Sequence, residues 1–206
     1  MSARDLQCPK CGAPLKVLGP FSKTIACAYC EAQIDLTSPE FAFYGGLKQP
    51  PITAPLKVGQ TGQFGGKQYV VAGHLRLAEQ DWWWDEFLLL AADGTSRWLQ
   101  YDDGTFSFYA GVRLQHPLDP MSIGSTFHLG KVMYRVLDRG RATVPRIEGE
   151  LTWKAKVGDP MASIDAVTPD AVRDPARPKR AGDARAVHEL DRVGTSTSTS
   201  RAVSAT

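Results

Sequence analysis

Apolar and polar residues alternate with a period of two through the middle of the chain, which is the pattern of β-strands. Residues 69–77 alternate in this way, and residues 87–91 form a continuous apolar run. Asp-Gly pairs at 93–94 and 103–104 separate the runs that follow. Because Asp-Gly between apolar runs is a strong hairpin signal, the pattern predicts an antiparallel meander of four strands.

The segment DWWWDEFLLL, residues 81–90, is the most unusual part of this pattern. On a strand, Trp84 and Glu86 share one face and Trp83 lies on the other. Both faces are largely apolar, which predicts a central strand that is covered on both sides. We expect Trp84 in the core and Trp83 on an outer surface, where Trp83 and Glu86 are candidate residues for binding a partner. Glu86 is also expected to pair with Arg76 or Arg97 across the sheet.

A weak internal repeat extends the β pattern. Residues 58–71 resemble residues 123–136 at a constant shift of 65 residues, from Tyr69 to Tyr134. Two similar β units, packed together or closed into small barrels, would explain the repeat, and so would chance similarity between glycine-punctuated strands.

Composition divides the chain into four segments. The tail is rich in Pro, Arg, Ala, Ser and Thr and cannot bury enough apolar surface to offset its ordering entropy, so we predict disorder there. Phe41, Phe43 and Tyr44 are too apolar for a free linker and are expected to lie on a neighbouring surface. The predicted organisation is a ribbon at 1–37, a Pro/Gly linker at 38–55, an antiparallel β domain (small barrel or sandwich) at 56–167, and a disordered tail at 168–206.

Bulk properties narrow the function classes. The 206 residues carry a formal net charge of only +2, which does not indicate a polyanion partner. The first residues lack the apolar core of a signal peptide, and no apolar run approaches the roughly 20 residues that span a bilayer. We therefore expect a cytoplasmic protein without direct membrane insertion, in a reducing compartment.

The four cysteines form two Cys-x-x-Cys pairs, Cys8 with Cys11 and Cys27 with Cys30, separated by the fifteen residues 12–26. Each pair can place two thiolates on a tight knuckle, and two knuckles complete a tetrahedron around one ion. The spacing predicts a zinc ribbon with one structural Zn²⁺, since four protein ligands leave no position for a catalytic water. Iron with the same ligands, two disulfides and a redox Cys-x-x-Cys are the alternatives.

No catalytic or cofactor-binding constellation is visible in the sequence. The four histidines show no ligand or dyad spacing, and residues 62–66 do not fit a phosphate-binding loop and predict a hairpin. An enzyme is therefore the least supported class. A nucleic-acid-binding protein is the alternative to an adaptor that binds protein partners, and the latter fits a ribbon, a β domain and a tail best.

The chain also resembles a known family. The motifs that carry the resemblance span residues 7–157: CPKCGAPL, CAYC, GGKQYVV, WDEFLL, WL at 98–99 and GELTW at 149–153. They are similar to the bacterial domain-of-unknown-function family 4178. The resemblance implies an accessory role, in a system with a polyamine-synthase-like enzyme and a membrane protein. Two departures stand out: Glu31 replaces a usual glycine, and the closing β segment after Asp159 is expected to be lost.

Overall fold

A computed structural model describes residues 4–43, 49, 51–113, 121–168, 185–190 and 200–205. Within these ranges the chain forms fourteen β-strands and no helix. The strands are β1 (Arg4–Gln7), β2 (Pro14–Val17), β3 (Thr24–Ala26), β4 (Gln33–Asp35), β5 (Thr61–Phe64), β6 (Lys67–Glu79), β7 (Trp82–Ala91), β8 (Ser96–Asp102), β9 (Thr105–Arg113), β10 (Thr126–Leu129), β11 (Val132–Leu151), β12 (Pro160–Val167), β13 (Arg185–Leu190) and β14 (Ser200–Ala205). A membrane-spanning helix is not found among the described residues.

The chain divides into two compact units. Unit 1 contains Met1–Phe106 and Thr143–Asp159, and unit 2 contains Ser107–Ala142 and Pro160–Thr206. The ribbon therefore belongs to the same unit as the meander and the last part of β11.

The ribbon has the predicted β structure. Strands β1 and β2 pair antiparallel, as do β3 and β4. A small core of its own surrounds the cysteines, and Phe41 from the linker packs against it. Phe43 bridges to Ile34 but remains half exposed, and Tyr44 lies outside the described residues. The core residues are Cys8, Leu15, Val17, Ile25, Cys27, Ala32, Ile34 and Leu36.

The predicted meander is confirmed. Its four strands are β6 to β9, which are consecutive neighbours in the sheet, and β5 adds a further antiparallel strand beside β6. Gly65 and Gly66 make the β5–β6 turn with φ of 54° and 75°, as the hairpin interpretation of residues 62–66 expects. Strand β7 is central, and all its residues from Trp84 to Ala91 are buried.

Strand β6 also pairs with β11, and two glycines make this contact possible. Gly73 lies opposite Gly149, next to a register irregularity in β6. A Cβ on Gly73 would lie 1.7 Å from the carbonyl oxygen of Glu150, and one on Gly149 would lie 2.2 Å from that of Ala72. The two backbones therefore approach more closely than any side chain allows.

The internal repeat has a structural counterpart. In unit 1, Gly59 N donates to the Val71 carbonyl (2.8 Å), Val71 N to that of Gln60 (2.9 Å) and Gln60 N to that of Lys57 (3.0 Å). In unit 2, the same three bonds recur 65 residues later, with lengths of 2.8, 2.9 and 3.0 Å, at Gly124, Val136, Ser125 and Ser122. Each copy leads into a hairpin, β5–β6 or β10–β11.

Unit 2 has a small core in which Phe127 and Tyr134 of the β10–β11 hairpin pack with Ile164 of β12. Residues 160–167 thus form a strand, and the expected loss of the β segment after Asp159 is wrong for this stretch. Strands β13 and β14 lie in the segment predicted to be disordered, and pair with β12 and β9. Residues 169–184, 191–199 and 206 lie outside the described residues.

We expect Gly73→Ala to destabilise the protein by about 3 kcal/mol, because β6 and β11 would have to separate to admit the methyl group. The measurement is the free energy of unfolding in urea. Gly62→Ala is the matched control, since a Cβ there meets nothing within 4 Å on an exposed strand. Equal effects of the two substitutions would show that the β6–β11 contact does not need glycine.

Candidate metal centre and buried charge network

The two Cys-x-x-Cys pairs form knuckles with the same backbone hydrogen bonds. In each knuckle, the N–H of the residue that follows the second cysteine donates to the carbonyl of the first cysteine. The N–H of the first cysteine donates to the carbonyl of the second residue after the pair. The bonds are Gly12 N to Cys8 O (2.8 Å), Cys8 N to Ala13 O (2.8 Å), Glu31 N to Cys27 O (2.9 Å) and Cys27 N to Ala32 O (2.9 Å). This tight folding aims both sulfurs of a pair at one point.

The four sulfurs come together as the sequence predicts. All four Sγ atoms lie within 4.8 Å of one another. The Sγ atoms of Cys8 and Cys30 are 3.7 Å apart, as are those of Cys11 and Cys27. A tetrahedral ion with metal–sulfur bonds of about 2.3 Å would need sulfur–sulfur distances of about 3.8 Å. The cluster therefore fits one four-coordinate metal ion.

Backbone N–H groups inside the knuckle favour the thiolate form of Cys8. Burial acts to raise the pKa of this thiol, but the N–H groups of Cys11 and Lys10 outweigh burial and lower the pKa to about 7. Since the thiolate is the ligand, the knuckle prepares this sulfur for a metal.

Glu150 of β11 holds the ribbon against the sheet. Its carboxylate is 2% exposed and accepts hydrogen bonds from Leu18 N (2.6 Å), Gly19 N (2.9 Å) and the Ser22 hydroxyl (2.5 Å). All three donors belong to the loop between β2 and β3. A carboxylate with three donors in this geometry fixes that loop without a positively charged partner.

The strand after the loop is attached to the same part of the chain. Strand β3 pairs with β11, with Thr24 opposite Leu151. The Thr24 hydroxyl donates to the Trp153 carbonyl (2.9 Å), and Lys154 pairs with Asp35 at the end of β4. Burial acts to raise the pKa of Asp35, but the hydrogen bonds from Lys154 and Thr37 and the charge of Lys154 together outweigh it and lower that pKa.

Glu31 occupies a backbone position that favours glycine. Its φ of 58° is left-handed, like the 74° of Gly12 at the matching place in the first knuckle. A non-glycine residue pays about 1 kcal/mol for this conformation. The Glu31 carboxylate accepts a hydrogen bond from the backbone N–H of Gln49 (3.1 Å), so the departure from the family pattern ties the linker to the ribbon.

A second polar centre lies on β6, β7 and β11. His74 is fully buried, and its Nε2 lies 2.8 Å from Asp85 Oδ1 while its Nδ1 lies 2.9 Å from Glu148 Oε2. The ring stacks on Phe87 at 4.8 Å. Arg146 adds an ion pair to the Glu148 carboxylate. Two carboxylates on the two ring nitrogens require both nitrogens to donate, which is the imidazolium form.

The network continues to the surface through Arg76. Its guanidinium donates to both oxygens of Asp85, at 2.8 and 2.7 Å, and to the Thr53 carbonyl of the linker at 3.0 Å. The same guanidinium lies 3.8 Å from the ring centroid of Trp83. Trp83 is therefore held by a charge that is itself fixed in the interior.

The pKa values of the network follow from these contacts. Burial acts to lower the pKa of His74, but the hydrogen bonds and charges of Asp85 and Glu148 outweigh burial and raise it. Burial likewise acts to raise the pKa of Asp85, and Arg76 and His74 outweigh it and lower that pKa. His74 and, more weakly, Arg146 lower the pKa of Glu148 to about 2.

The structure places the sequence-predicted residues as follows. Trp84 is 7% exposed and in the core, whereas Trp83 is 44% exposed. Glu86 is only 2% exposed and lies in the interior, opposite Leu75 and Gln100, so it is not a surface residue. The expected pairing of Glu86 with Arg76 is wrong, because Arg76 binds Asp85 on the other face of β7.

Sequence reasoning missed three functional candidates, His74, Asp85 and Glu148. A signal for Asp85 was present, since the β6–β7 hairpin places it directly opposite Arg76. Nothing local indicates Glu148, which approaches His74 from 74 residues away.

We expect His74→Gln to destabilise the protein by about 3–5 kcal/mol near pH 6, because it leaves buried carboxylates without their charged partner. The pKa of His74 is raised in the folded state, so its stabilisation is complete below its ordinary pKa of 6.5 and is lost as the pH rises through the raised value. The wild-type free energy of unfolding should therefore fall relative to that of the variant on going to alkaline pH. A difference that stays constant with pH would mean that His74 is neutral in the folded protein.

Comparison with known proteins gives one match. The family model described as "Domain of unknown function (DUF4178)" matches residues 57–173, which is more than half of the chain. No curated protein and no solved structure matches the chain. The matched residues contain the buried charge network and the two glycines of the β6–β11 contact, and the cysteine ribbon precedes them. The chain is a member of the DUF4178 family.

Proposed function

We propose that the protein is a non-enzymatic adaptor of the cytoplasm, in which a zinc-bound ribbon and a β domain bind protein partners. Cys8, Cys11, Cys27 and Cys30 would hold one structural Zn²⁺. The observation that carries the adaptor proposal is Trp83, an exposed aromatic side chain held in place by a buried charge network.

The donor set supports zinc in a structural role. Four thiolates in a tetrahedron suit Zn²⁺ and fill all its coordination positions. When bound, the ion supplies folding free energy, on the order of 10–16 kcal/mol for structural zinc in small ribbons. Glu150 and Lys154 attach the ribbon to the sheet, so a stable ribbon also stabilises the part of the sheet that it contacts.

The geometry of Trp83 supports a binding role. Tryptophan is enriched among the residues that dominate protein interfaces, and a side chain that is already ordered loses little entropy on binding. Trp83 stacks on Arg76, whose position Asp85 fixes with two hydrogen bonds. Trp82 beside it is 51% exposed. Trp82 points to the other face of the strand, so it is Trp83 that presents an ordered apolar surface at the end of the β6–β7 hairpin.

The charges around this surface favour a protein over a nucleic acid. Glu79 and Asp81 flank the tryptophans in the hairpin, where a nucleic-acid site would need cations. The ribbon adds two further exposed aromatic side chains, Phe21 (74%) and Tyr29 (73%).

We expect one zinc ion per chain in the purified protein, measured by native mass spectrometry and elemental analysis. A Cys27→Ser, Cys30→Ser variant should lose the ion, because two thiolates cannot complete the tetrahedron. Lys10→Ala, in the first knuckle but not a ligand, is the control and should keep it. Iron in place of zinc, or a metal-free wild-type chain with a folded ribbon, would contradict the zinc assignment.

We expect Trp83→Ala to lose partner binding by about 30-fold or more, as truncation of an interface anchor does, while the free energy of unfolding changes by about 1 kcal/mol. The measurement is the affinity of the partner recovered in a pull-down with the wild-type chain. Phe64→Ala is the control, since Phe64 is 48% exposed on the edge strand β5.

Three results would count against this proposal. Unchanged affinity in Trp83→Ala would remove the hairpin surface from the interface. A collapse in stability would make Trp83 a structural residue. A steeply salt-dependent affinity for nucleic acid would favour the alternative function.

A further inference from the structure

The β10–β11 hairpin of unit 2 has one buried face and one exposed face. Phe127 and Tyr134 lie on the buried face, in the small core shared with β12. Side chains alternate between the two faces along a strand, so Met133, Arg135 and Leu137 point the other way, and all three are exposed. The exposed face of the hairpin therefore carries a cation between two aliphatic side chains.

The aliphatic side chains of this face are open to solvent. Met133 is 39% exposed and Leu137 is 46% exposed. Ile123, in the segment before β10, is 64% exposed. The N–H of the next residue, Gly124, donates to the Val136 carbonyl of β11 at 2.8 Å, which holds Ile123 beside this strand. Exposed apolar side chains that lie together in this way are a feature of surfaces that contact another molecule.

The charged groups of the same hairpin are positive. Lys131 in the turn and Arg135 on β11 are exposed, and neither forms an ion pair within the described part of the chain. The fifteen residues 123–137 contain no acidic residue. Arg139 and Arg141 continue the row of cations along β11. The hairpin therefore presents positive charge that it does not compensate itself.

The acidic residues nearest to the hairpin do not cancel this charge. Asp138 of β11 alternates to the other face from Leu137, and its Oδ1 accepts the N–H of Arg139 at 2.8 Å. Asp165 is the exposed acid of the neighbouring strand β12. Lys131 and the arginines at 135, 139 and 141 outnumber these two carboxylates. An anionic partner is therefore the complementary one.

The surface of an anionic lipid bilayer would use both kinds of side chain. Lysine and arginine reach the lipid phosphates, and the aliphatic side chains between them enter the boundary of the acyl region. A nucleic acid would use the cations alone, because base stacking needs exposed aromatic rings. The rings of this hairpin, Phe127 and Tyr134, are buried.

A protein partner fits this face less well. Protein interfaces depend on anchors such as tryptophan and tyrosine that fill pockets. The exposed tryptophans, Trp82 and Trp83, belong to unit 1, whereas the exposed apolar side chains in the described part of the hairpin are aliphatic. The exposed side chains of the two units therefore fit different partners.

We propose that the hairpin face, which consists of Ile123, Lys131, Val132, Met133, Arg135 and Leu137, binds the surface of an anionic phospholipid bilayer. The cations contact the headgroup phosphates, and the aliphatic side chains lie at the level of the first acyl carbons. This attachment does not depend on the adaptor function, which uses Trp83 of unit 1.

The test is sedimentation of the full chain with vesicles of phosphatidylglycerol and phosphatidylcholine in equal amounts, and with vesicles of phosphatidylcholine alone. The chain should bind the mixed vesicles at least about tenfold more tightly than the neutral ones. A Lys131→Gln, Arg135→Gln variant should lose about 25-fold in affinity for the mixed vesicles, since each cation near an anionic bilayer contributes about fivefold.

The matched control is a Lys16→Gln, Lys57→Gln variant. It removes the same charge from two exposed positions of unit 1. Its affinity should stay within about twofold of the wild-type value, because charges farther from the bilayer than the Debye length are screened. Both variants keep residues 169–206, so the charges of that segment contribute equally to each measurement.

A second variant tests the aliphatic part of the face without changing its charge. Leu137→Ser should weaken binding to the mixed vesicles about fivefold, and the ratio to wild type should persist when salt is raised, because apolar burial is not screened. Phe64→Ser, on the exposed strand β5 of unit 1, should leave binding unchanged. Leu137→Ser also decides the outcome if the double variant of the hairpin fails to fold.

Four results would overturn the proposal: absence of binding to the mixed vesicles, equal binding to the neutral vesicles, equal losses in the two double variants, or wild-type affinity in Leu137→Ser. An oligonucleotide or polyglutamate that binds the wild-type chain, fails to bind the Lys131→Gln, Arg135→Gln variant and does so in a chain that ignores vesicles would assign the face to a nucleic acid or an acidic protein instead.

Discussion

The close approach of β6 and β11 is the contact on which the rest of unit 1 depends. Gly73 and Gly149 allow the two backbones to meet where a Cβ would overlap carbonyl oxygens. With the two strands in this position, the alternation of side chains along β11 allows Arg146, Glu148 and Glu150 each to reach a partner. Glu148 reaches His74, and Glu150 reaches the ribbon loop. One strand thus joins the sheet interior to the cysteine ribbon.

The buried charges explain why this arrangement is specific. Burying an ion pair gains little net stability, because desolvation offsets most of the attraction, but losing one partner is costly. Asp85, His74 and Glu148 can satisfy one another only if β6, β7 and β11 are in the observed register. A slip by one residue would turn each of these side chains to the opposite face. The network therefore selects one register, and it holds Arg76 beneath Trp83 as a result.

Local sequence patterns predicted the features that are formed by residues close together in the chain. The Cys-x-x-Cys spacing gave the knuckles, and the Asp-Gly pairs gave the meander. A turn at residues 80–81 pairs Glu79 with Trp82, and this first pair fixes the register of the β6–β7 hairpin up to its irregularity. The same register places Asp85 opposite Arg76, so the turn could have identified this partner. The acid next to it, Glu86, points to the other face, and choosing between adjacent acids needs the register.

Contacts between distant segments could not be predicted in this way. The β6–β11 pairing joins residues 70 to 76 positions apart, and no local pattern states which strand lies beside β6. The same holds for the linker. Gln49 is buried only because Glu31 and Ile147 bind it from the ribbon and from β11. The sequence showed that Glu31 departs from the family pattern, and the structure accounts for the departure by the hydrogen bond from the Gln49 N–H to the Glu31 carboxylate.

These contacts join the order of the ribbon to that of the sheet. Glu150 of β11 accepts three hydrogen bonds from the loop between β2 and β3, and Glu31 of the ribbon accepts the N–H of Gln49 in the linker. Unfolding of the ribbon alone would leave the buried Glu150 carboxylate without its donors, and an unsatisfied buried group costs more than its hydrogen bonds contribute. A metal ion held by the four cysteines would therefore stabilise β11 as well as the ribbon.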